Sequence, residues 1–450
     1  MDSAHIAYYC PRVNLLKLYG PIIAEQKRRG SGLGALVVVP LAPLITYAGK
    51  NRNLAAALRL QQVQAELGPD VEIACVASPG DFLDLLRKWG VLAAVSVGLR
   101  LPSQIRDGVV ASSRARSVRW CSLGYLQEEL LHVMADGVGV LDDWDVVTTF
   151  SQAGVDRLMG ILAEKGVLGV DRVRAFHPIG FVELDQAAGF DRRILREKYG
   201  LPQDRPVICF ATAPRFAATT LSNEPDTFKS SRAMRWLFRR DWYRGALTAR
   251  VAGGLWGRRW PGMDYLAGYV DILGCLRRFA DRHGAIIIGK TRDKHDDPSY
   301  VGRLLDQLLS DGAYYPFRTL ELLYLADLYV GISSSTAFEA AFVGRRMRTI
   351  VPYPAEVHEN SLFFELKRDF YYESPGLWNA PTFSDLNRTY MLGEWNAFRD
   401  WAESGALETH VDSAARNAVV KRAVGFDDYK ASARFLDLVE GAIGRVGGPS

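Results

Sequence analysis

A chain of 450 residues exceeds what one ordinary hydrophobic core accommodates, so two domains are expected. Hydrophobic residues at 48% and charged residues at 24% exclude a disordered chain, and a net charge of +4 leaves any basic surface to local clustering. The 5 cysteines are scattered and form no CxxC pair, which argues against a disulfide framework or a zinc site, and no apolar run has the length of a membrane span.

From the N-terminus, Met1-Asp-Ser-Ala-His-Ile6 lacks the basic and apolar pattern of a signal peptide, and a cytoplasmic protein is expected. Ile6–Cys10 reads as a strand. Val13–Arg29 carries apolar residues at helical spacing and ends in Lys27-Arg-Arg-Gly30, a favourable helix C-terminus. Ala35–Val39 is the next strand. A helix over Asn53–Leu67, a strand over Val71–Ala77, a helix over Gly80–Trp89 and a strand over Val91–Val97 follow. Val118–Ser122 and Asp145–Phe150 complete this run of strands. Alternation of this kind predicts parallel strands with crossover helices, the doubly wound α/β class.

Ser151 caps a predicted helix with Val155, Leu158, Met159 and Leu162 at core spacing. Asp191–Tyr199 is predicted helical, and Gly200–Pro206 breaks it with turn residues. A second alternating unit opens at Val207–Ala211. It continues through a helix over Asp264–His283, a strand over Ala285–Gly289, a helix over Ser299–Leu309 and a strand over Leu328–Ile332. Thr349–Val351 restarts a strand after a helix over Ala337–Val343, and further helices are expected over Trp395–Ala402 and Ala414–Val446. The expected division is residues 1–185 as a first Rossmann-like domain, 186–204 as a linker, 205–395 as a second Rossmann-like domain, and 396–450 as C-terminal helices.

Three stretches carry chemistry. After the strand Leu328–Ile332, the hydroxyls of Ser333, Ser334, Ser335 and Thr336 crowd the turn into a helix. A helix N-terminus with hydroxyls around it is a ready anion site. Thr336-Ala-Phe-Glu339 also fits a capping box, which would use both residues for helix ends and nothing else. The second stretch, Ile288–Asp297, places Lys290 and Arg292 just after a strand, with His295 among aspartates too weak a pattern for a metal site. In the third, Phe228–Trp260, nine Lys and Arg residues are interleaved with aromatics against Asp241 alone. Trp with Arg suits an anionic membrane surface, although Arg232–Leu247 does not separate into polar and apolar faces as a helix. Nothing resembles a nucleic-acid-binding module.

Two Rossmann-like halves with a Ser-rich turn late in the second resemble the GT-B glycosyltransferases, and among them the bacterial surface-polysaccharide and polyol-phosphate polymer transferases. The resemblance rests on Ala326-Asp327 with Gly331–Ser335, Glu339 and Gly344, on Ile288–Asp297, and on Ser151–Val182 as the last N-domain helix and the strand toward the hinge. It implies a deep interdomain cleft and a nucleotide-sugar donor bound as substrate, with no cofactor and no metal. Ser333, Ser334, Ser335 and Thr336 would hold the diphosphate with Lys290 and Arg292, and Glu339 the ribose. The acceptor would be a glycan or a lipid-linked molecule, with peripheral contact at the inner face of the membrane left open.

The resemblance also implies a base in the first half. Candidates near strand ends are Asp81, Glu128, Glu129 and His132, and the basic turn Lys50–Asn53 is a candidate contact for an acidic acceptor. The polyol-phosphate transferases place a Trp-His-Gly where this chain has Trp120-Cys121-Ser122, which counts against polyol-phosphate transfer. The expected function is therefore sugar transfer from a nucleotide diphosphate. The alternatives are a CDP-polyol phosphotransferase, a sugar-nucleotide epimerase, and, in another class, a non-catalytic nucleotide- or membrane-binding scaffold.

Overall fold

The structure is a computed structural model that describes residues 4–11, 15–41, 63–99, 101–115, 117–125, 133, 137–164, 166–212, 261–290, 299–309, 319–332, 336–350, 391–411 and 413–444. The chain forms two compact units. Residues up to Gly189 and from Val420 onward make nearly all of the first, and the second lies wholly within the stretch from Phe190 to Val419.

In the first unit, β1 (His5–Tyr9), β2 (Gly34–Pro40), β3 (Val71–Val76), β4 (Val91–Val97), β5 (Arg119–Leu123), β6 (Val146–Thr149) and β7 (His177–Pro178) form one sheet. Its order is β3-β2-β1-β4-β5-β6-β7, and every pairing is parallel. Strands covered on both faces read as near-continuous apolar runs, and β1 and β6 are buried along their whole length. The crossovers include α1 (Leu16–Arg29), α2 (Pro79–Lys88) and α3 (Gln152–Glu164). The Ser151 cap on α3 is formed, its Oγ accepting the Gly154 N–H at 3.1 Å. An aromatic column fixes the core: Tyr9 stacks on Phe82 at 5.7 Å, and Trp120 meets Phe82 edge-on at 6.4 Å and Trp144 at 6.3 Å.

The second unit repeats the plan. Here β8 (Val207–Ala211), β9 (Ile286–Lys290), β10 (Gln307–Leu309), β11 (Leu328–Ile332) and β12 (Arg346–Ile350) form a parallel sheet of order β10-β9-β8-β11-β12. The helices are α4 (Arg192–Lys198), α5 (Pro261–Arg282), α6 (Ser299–Leu304), α7 (Thr319–Leu325), α8 (Thr336–Phe342) and α9 (Met391–Ser404).

Two expectations change here. The helix expected over Ser299–Leu309 stops at Leu304, and Gln307–Leu309 becomes the outer strand β10. Asp306 makes that turn: its carboxylate accepts the Ile287 N–H at 2.8 Å and Arg277 at 2.7 Å, while its own N–H donates to Ile287 O at 3.0 Å. Gly289 admits the packing, since a Cβ there would sit 2.2 Å from Leu305 Cδ1. The second change is the start of β12, at Arg346 rather than Thr349. Arg346 is only 4% exposed and its guanidinium bonds Glu408 and His410 O, so a buried cation starts a strand with partners more than sixty residues on.

The C-terminal stretch holds α10 (Ser413–Ala423) and α11 (Ala431–Gly444). The latter packs into the first unit through Phe435, Leu436 and Val439. The Asp185 carboxylate receives the N–H groups of Ala431 at 3.1 Å and Ser432 at 2.6 Å at the start of α11, and Arg434 donates to Ile179 O at 2.8 Å. Replacing Asp185 by alanine removes a helix cap and is expected to cost about 1 kcal/mol, read as a lower urea midpoint at unchanged slope. A midpoint equal to wild type would mean the cap contributes nothing to stability.

Candidate functional site

In an open parallel sheet, ligands gather at the carboxyl ends of the strands, where the order reverses. In the second sheet that point lies between β8 and β11, with β9 on the far side of β8. The register aligns Ala211 with Lys290 on one side and with Gly331 on the other, so these three residues form one rank across the sheet at its carboxyl edge. Thr212, just past β8, donates its hydroxyl to Lys290 O at 2.9 Å. The Lys290 ammonium reaches Thr319 Oγ1, the first residue of α7, at 2.7 Å. A cation is thereby held at the strand end by a neighbouring helix.

Past β11 the chain enters α8 at Thr336. Thr336 and Glu339 are buried, at 7% and 3% exposure. The helix opens at Thr336 with Glu339 three residues on, the spacing that serves a cap and an anion site alike. Cys209 on β8 records the electrostatics between them. Burial pushes its thiol up to about 12, while Lys290 draws it down and Glu339 raises it further. Lys290 and Glu339 thus act on the same strand residue with opposite sign.

Tyr329 is a site residue the sequence reading missed. It is fully buried on the face that Cys209 and Lys290 share, two residues before Gly331. A Cβ on Gly331 would lie 2.1 Å from the Tyr329 hydroxyl oxygen, so the phenol lies across Gly331 toward the carboxyl edge. An aromatic residue and a glycine at i and i+2 in one strand is the only local signal of this. Gly331→Ala is expected to displace the ring and cost about 1–3 kcal/mol, read by thermal or urea unfolding. A variant as stable as wild type would show that the ring moves freely.

Of the other residues singled out by sequence, Arg292, Ser333, Ser334, Ser335, Glu128, Glu129 and His132 lie outside the described residues, as do Lys50–Asn53, His295 and Phe228–Trp260. Asp81 is described and serves as a helix cap. Its carboxylate accepts the N–H groups of Ser78 at 3.0 Å and Ala77 at 3.2 Å, and Ser78 Oγ accepts its N–H at 3.1 Å, which makes it half of the capping box of α2. Trp120, Cys121 and Ser122 stand within β5. Trp120 Nε1 donates to Ser113 Oγ at 2.9 Å and Ser122 Oγ to Gly98 O at 2.9 Å, while burial holds the Cys121 thiol far above its ordinary range. These three residues include no carboxylate and no histidine.

No family model matches the chain, and no curated protein matches it by sequence. Solved structures do match in backbone course. The UDP-GlcNAc 2-epimerase from Neisseria meningitidis bound to UDP-GlcNAc superposes with a TM-score of 0.50 at 9% identity, covering 97% of this chain and 99% of that one. A variant of the wall teichoic acid polymerase TagF gives a TM-score of 0.52 at 9% identity, over 100% of this chain and 91% of that one. The two sheets with these neighbours decide the fold. The chain has the GT-B fold. A putative UDP-N-acetylglucosamine 2-epimerase from Listeria monocytogenes is similar to the same extent, with a TM-score of 0.50, 10% identity, and coverage of 100% and 99%. Among the described residues, no helix of this GT-B chain is long and apolar enough to cross a membrane.

Proposed function

We propose that this chain is a GT-B glycosyltransferase that moves a sugar from a nucleotide-diphosphate donor to a glycan or lipid-linked acceptor. The observation that carries the reading is the rank Lys290–Ala211–Gly331 at the switch point of the second sheet, with Thr336 and Glu339 buried on the helix that follows. Breaking the bond between sugar and diphosphate builds negative charge on the departing group. A cation and N–H donors fixed in advance lower that barrier without reorganising, and they are worth most where water is excluded. In this reading Lys290 and Arg292 face the diphosphate, Ser333, Ser334, Ser335 and Thr336 supply hydroxyls and amides to it, and Glu339 accepts from the ribose hydroxyls. The acceptor hydroxyl loses its proton to one of Glu128, Glu129 or His132. Phe228–Trp260 is the segment proposed to meet an acceptor held at an anionic membrane surface.

A second reading, epimerisation of a nucleotide sugar, draws on the near-complete mutual coverage with the Neisseria enzyme. Polyol-phosphate transfer is the weaker alternative, because position 121 holds a buried cysteine in place of the histidine which that chemistry suggests.

A panel of nucleotide sugars read by thermal unfolding tests the donor site. A donor at one hundred times its Kd stabilises the native state by about 2.7 kcal/mol, and a flat response across the panel at millimolar concentration would overturn the reading. The products then separate the chemistries. Nucleoside diphosphate marks glycosyl transfer, nucleoside monophosphate marks polyol-phosphate transfer, and an epimeric donor formed without acceptor marks epimerisation. Binding without any turnover would mark the scaffold.

A further inference from the structure

The amino edge of the second sheet, about 13 Å of strand away from Lys290, carries a different constellation. A cavity of about 480 Å³ opens there beside Pro206 and Asp327, the residues that precede β8 and β11. Its charged lining is Arg192, Arg193, Arg196 and Arg205 against Asp204 and Asp327. Four arginines thus meet two aspartates.

The bonding deepens the imbalance. Asp327 is well used: Oδ1 receives Arg192 at 2.5 Å, and Oδ2 receives Arg196 at 3.0 Å and the Val207 N–H at 2.8 Å. Arg196, itself only 4% exposed, spends its other terminal nitrogen on the carbonyls of Pro202, Gln203 and Arg205, which fixes the loop that carries Asp204 and Arg205. Arg205 donates to Gly284 O at 2.9 Å and Ala285 O at 3.4 Å, and to no carboxylate among the described residues. Arg193 has only a loose contact, 3.5 Å, with the exposed Glu197. Behind them Arg345 lies near enough for Arg192, Arg196 and Asp327 all to act on its charge. Its Nε is buried with no hydrogen-bond partner, as is that of Arg196. Burial and the charge of Arg192 both push Arg196 and Arg345 below the ordinary guanidinium range. Three cations therefore lie around Asp327, with Asp204 the second carboxylate and two more arginines at the rim.

An arginine cluster that outnumbers its carboxylates repels itself. Arg192 and Arg205 spend Nε and one terminal nitrogen on protein acceptors. Their remaining terminal N–H donors, with the guanidinium of Arg193, face the rim, where they suit a tetrahedral oxyanion. The volume lies in the range of small-ligand pockets, larger than a bare phosphate ion needs. We propose that this pocket binds a small phosphate-bearing anion, with Arg192, Arg193 and Arg205 as its contacts and Arg196 holding the loop in place. The site is separate from the proposed donor edge and does not depend on that assignment.

Inorganic pyrophosphate is the probe, used on the full chain. Arginine modification by phenylglyoxal, mapped by peptide mass spectrometry, locates its binding without any variant. Millimolar pyrophosphate is expected to slow modification of Arg193 and Arg205 by about tenfold, whereas sodium chloride at matched ionic strength leaves them reactive. Titration of a Lys290→Ala background then separates the two edges of the sheet. There the additional changes Arg193→Ala and Arg205→Ala, both at exposed side chains, are expected to weaken the remaining pyrophosphate binding by about tenfold or more. Equal modification rates with and without pyrophosphate would overturn the proposal. So would equal protection by chloride, or pyrophosphate binding unmoved by the two substitutions.

Discussion

Lys290→Ala is expected to lower sugar transfer by about two to three orders of magnitude in kcat/KM while leaving the chain folded. Lys290 stands at the last position of β9 and is half-buried, so little core is lost with it. What is lost is a positive charge already in place before the reaction. Its ammonium is fixed by Thr319 Oγ1 at 2.7 Å and its strand position by the rank with Ala211 and Gly331. A cation held this way acts on charge that grows as the diphosphate departs, so the loss belongs in kcat as well as in KM. Thr319→Val is the companion variant. It keeps the charge and removes its tether, and a loss of about tenfold is expected from the looser geometry. Steady-state kinetics with the donor found in the panel provide the measurement. A Lys290→Ala enzyme within twofold of wild type would remove Lys290 from the proposed site.

Much of the fold was legible because its signals are local. Val207–Ala211 and Leu328–Ile332 read as buried strands from uninterrupted apolar runs, and both occur at those bounds. Asp191 before an apolar-periodic segment was readable as the start of α4, and its carboxylate does receive the Ile194 N–H at 2.9 Å. Leu305–Leu309 misled for the same reason: it continues the helical pattern of Ser299–Leu304, and the Asp306 contacts that stop the helix come from Ile287 and Arg277. Arg346 gave no sign of starting a strand, because a buried arginine is tolerable only with partners that sequence distance hides.

The candidate site divides along the same line. Lys290, Thr336 and Glu339 were visible as residue types placed after strands. Tyr329 was hidden by its apolar run, although its spacing to Gly331 puts both on one face. Asp81 looked like an available acid, yet Ser78-Pro-Gly-Asp81 is itself a capping-box spacing and the residue is spent on it. The arginine pocket was the least legible feature. Asp191-Arg-Arg-Ile-Leu-Arg196 reads as a solvated helix start, and only the fold brings it to Asp327, more than one hundred and thirty residues away.

Asp327→Ala is expected to cost about 3 kcal/mol of unfolding free energy. Its carboxylate neutralises Arg196, which is 5% exposed at the side chain, and its Oδ2 also takes the N–H that opens β8. Removing it leaves a buried guanidinium facing Arg192 and Arg345 with only Asp204 as counter-charge among the described residues, and an unsatisfied backbone donor at the edge of a central strand. Arg192 is 39% exposed, so water screens its share and the full cost of a buried pair is not reached. Urea unfolding gives the number. The control is Arg196→Met in the Asp327→Ala background, which removes the stranded charge and is expected to restore part of the loss. A single variant within about 1 kcal/mol of wild type would mean that solvent already neutralises the cluster. The oxyanion pocket would then lose its electrostatic basis, because a cluster that tolerates losing its central carboxylate has no need of a bound anion.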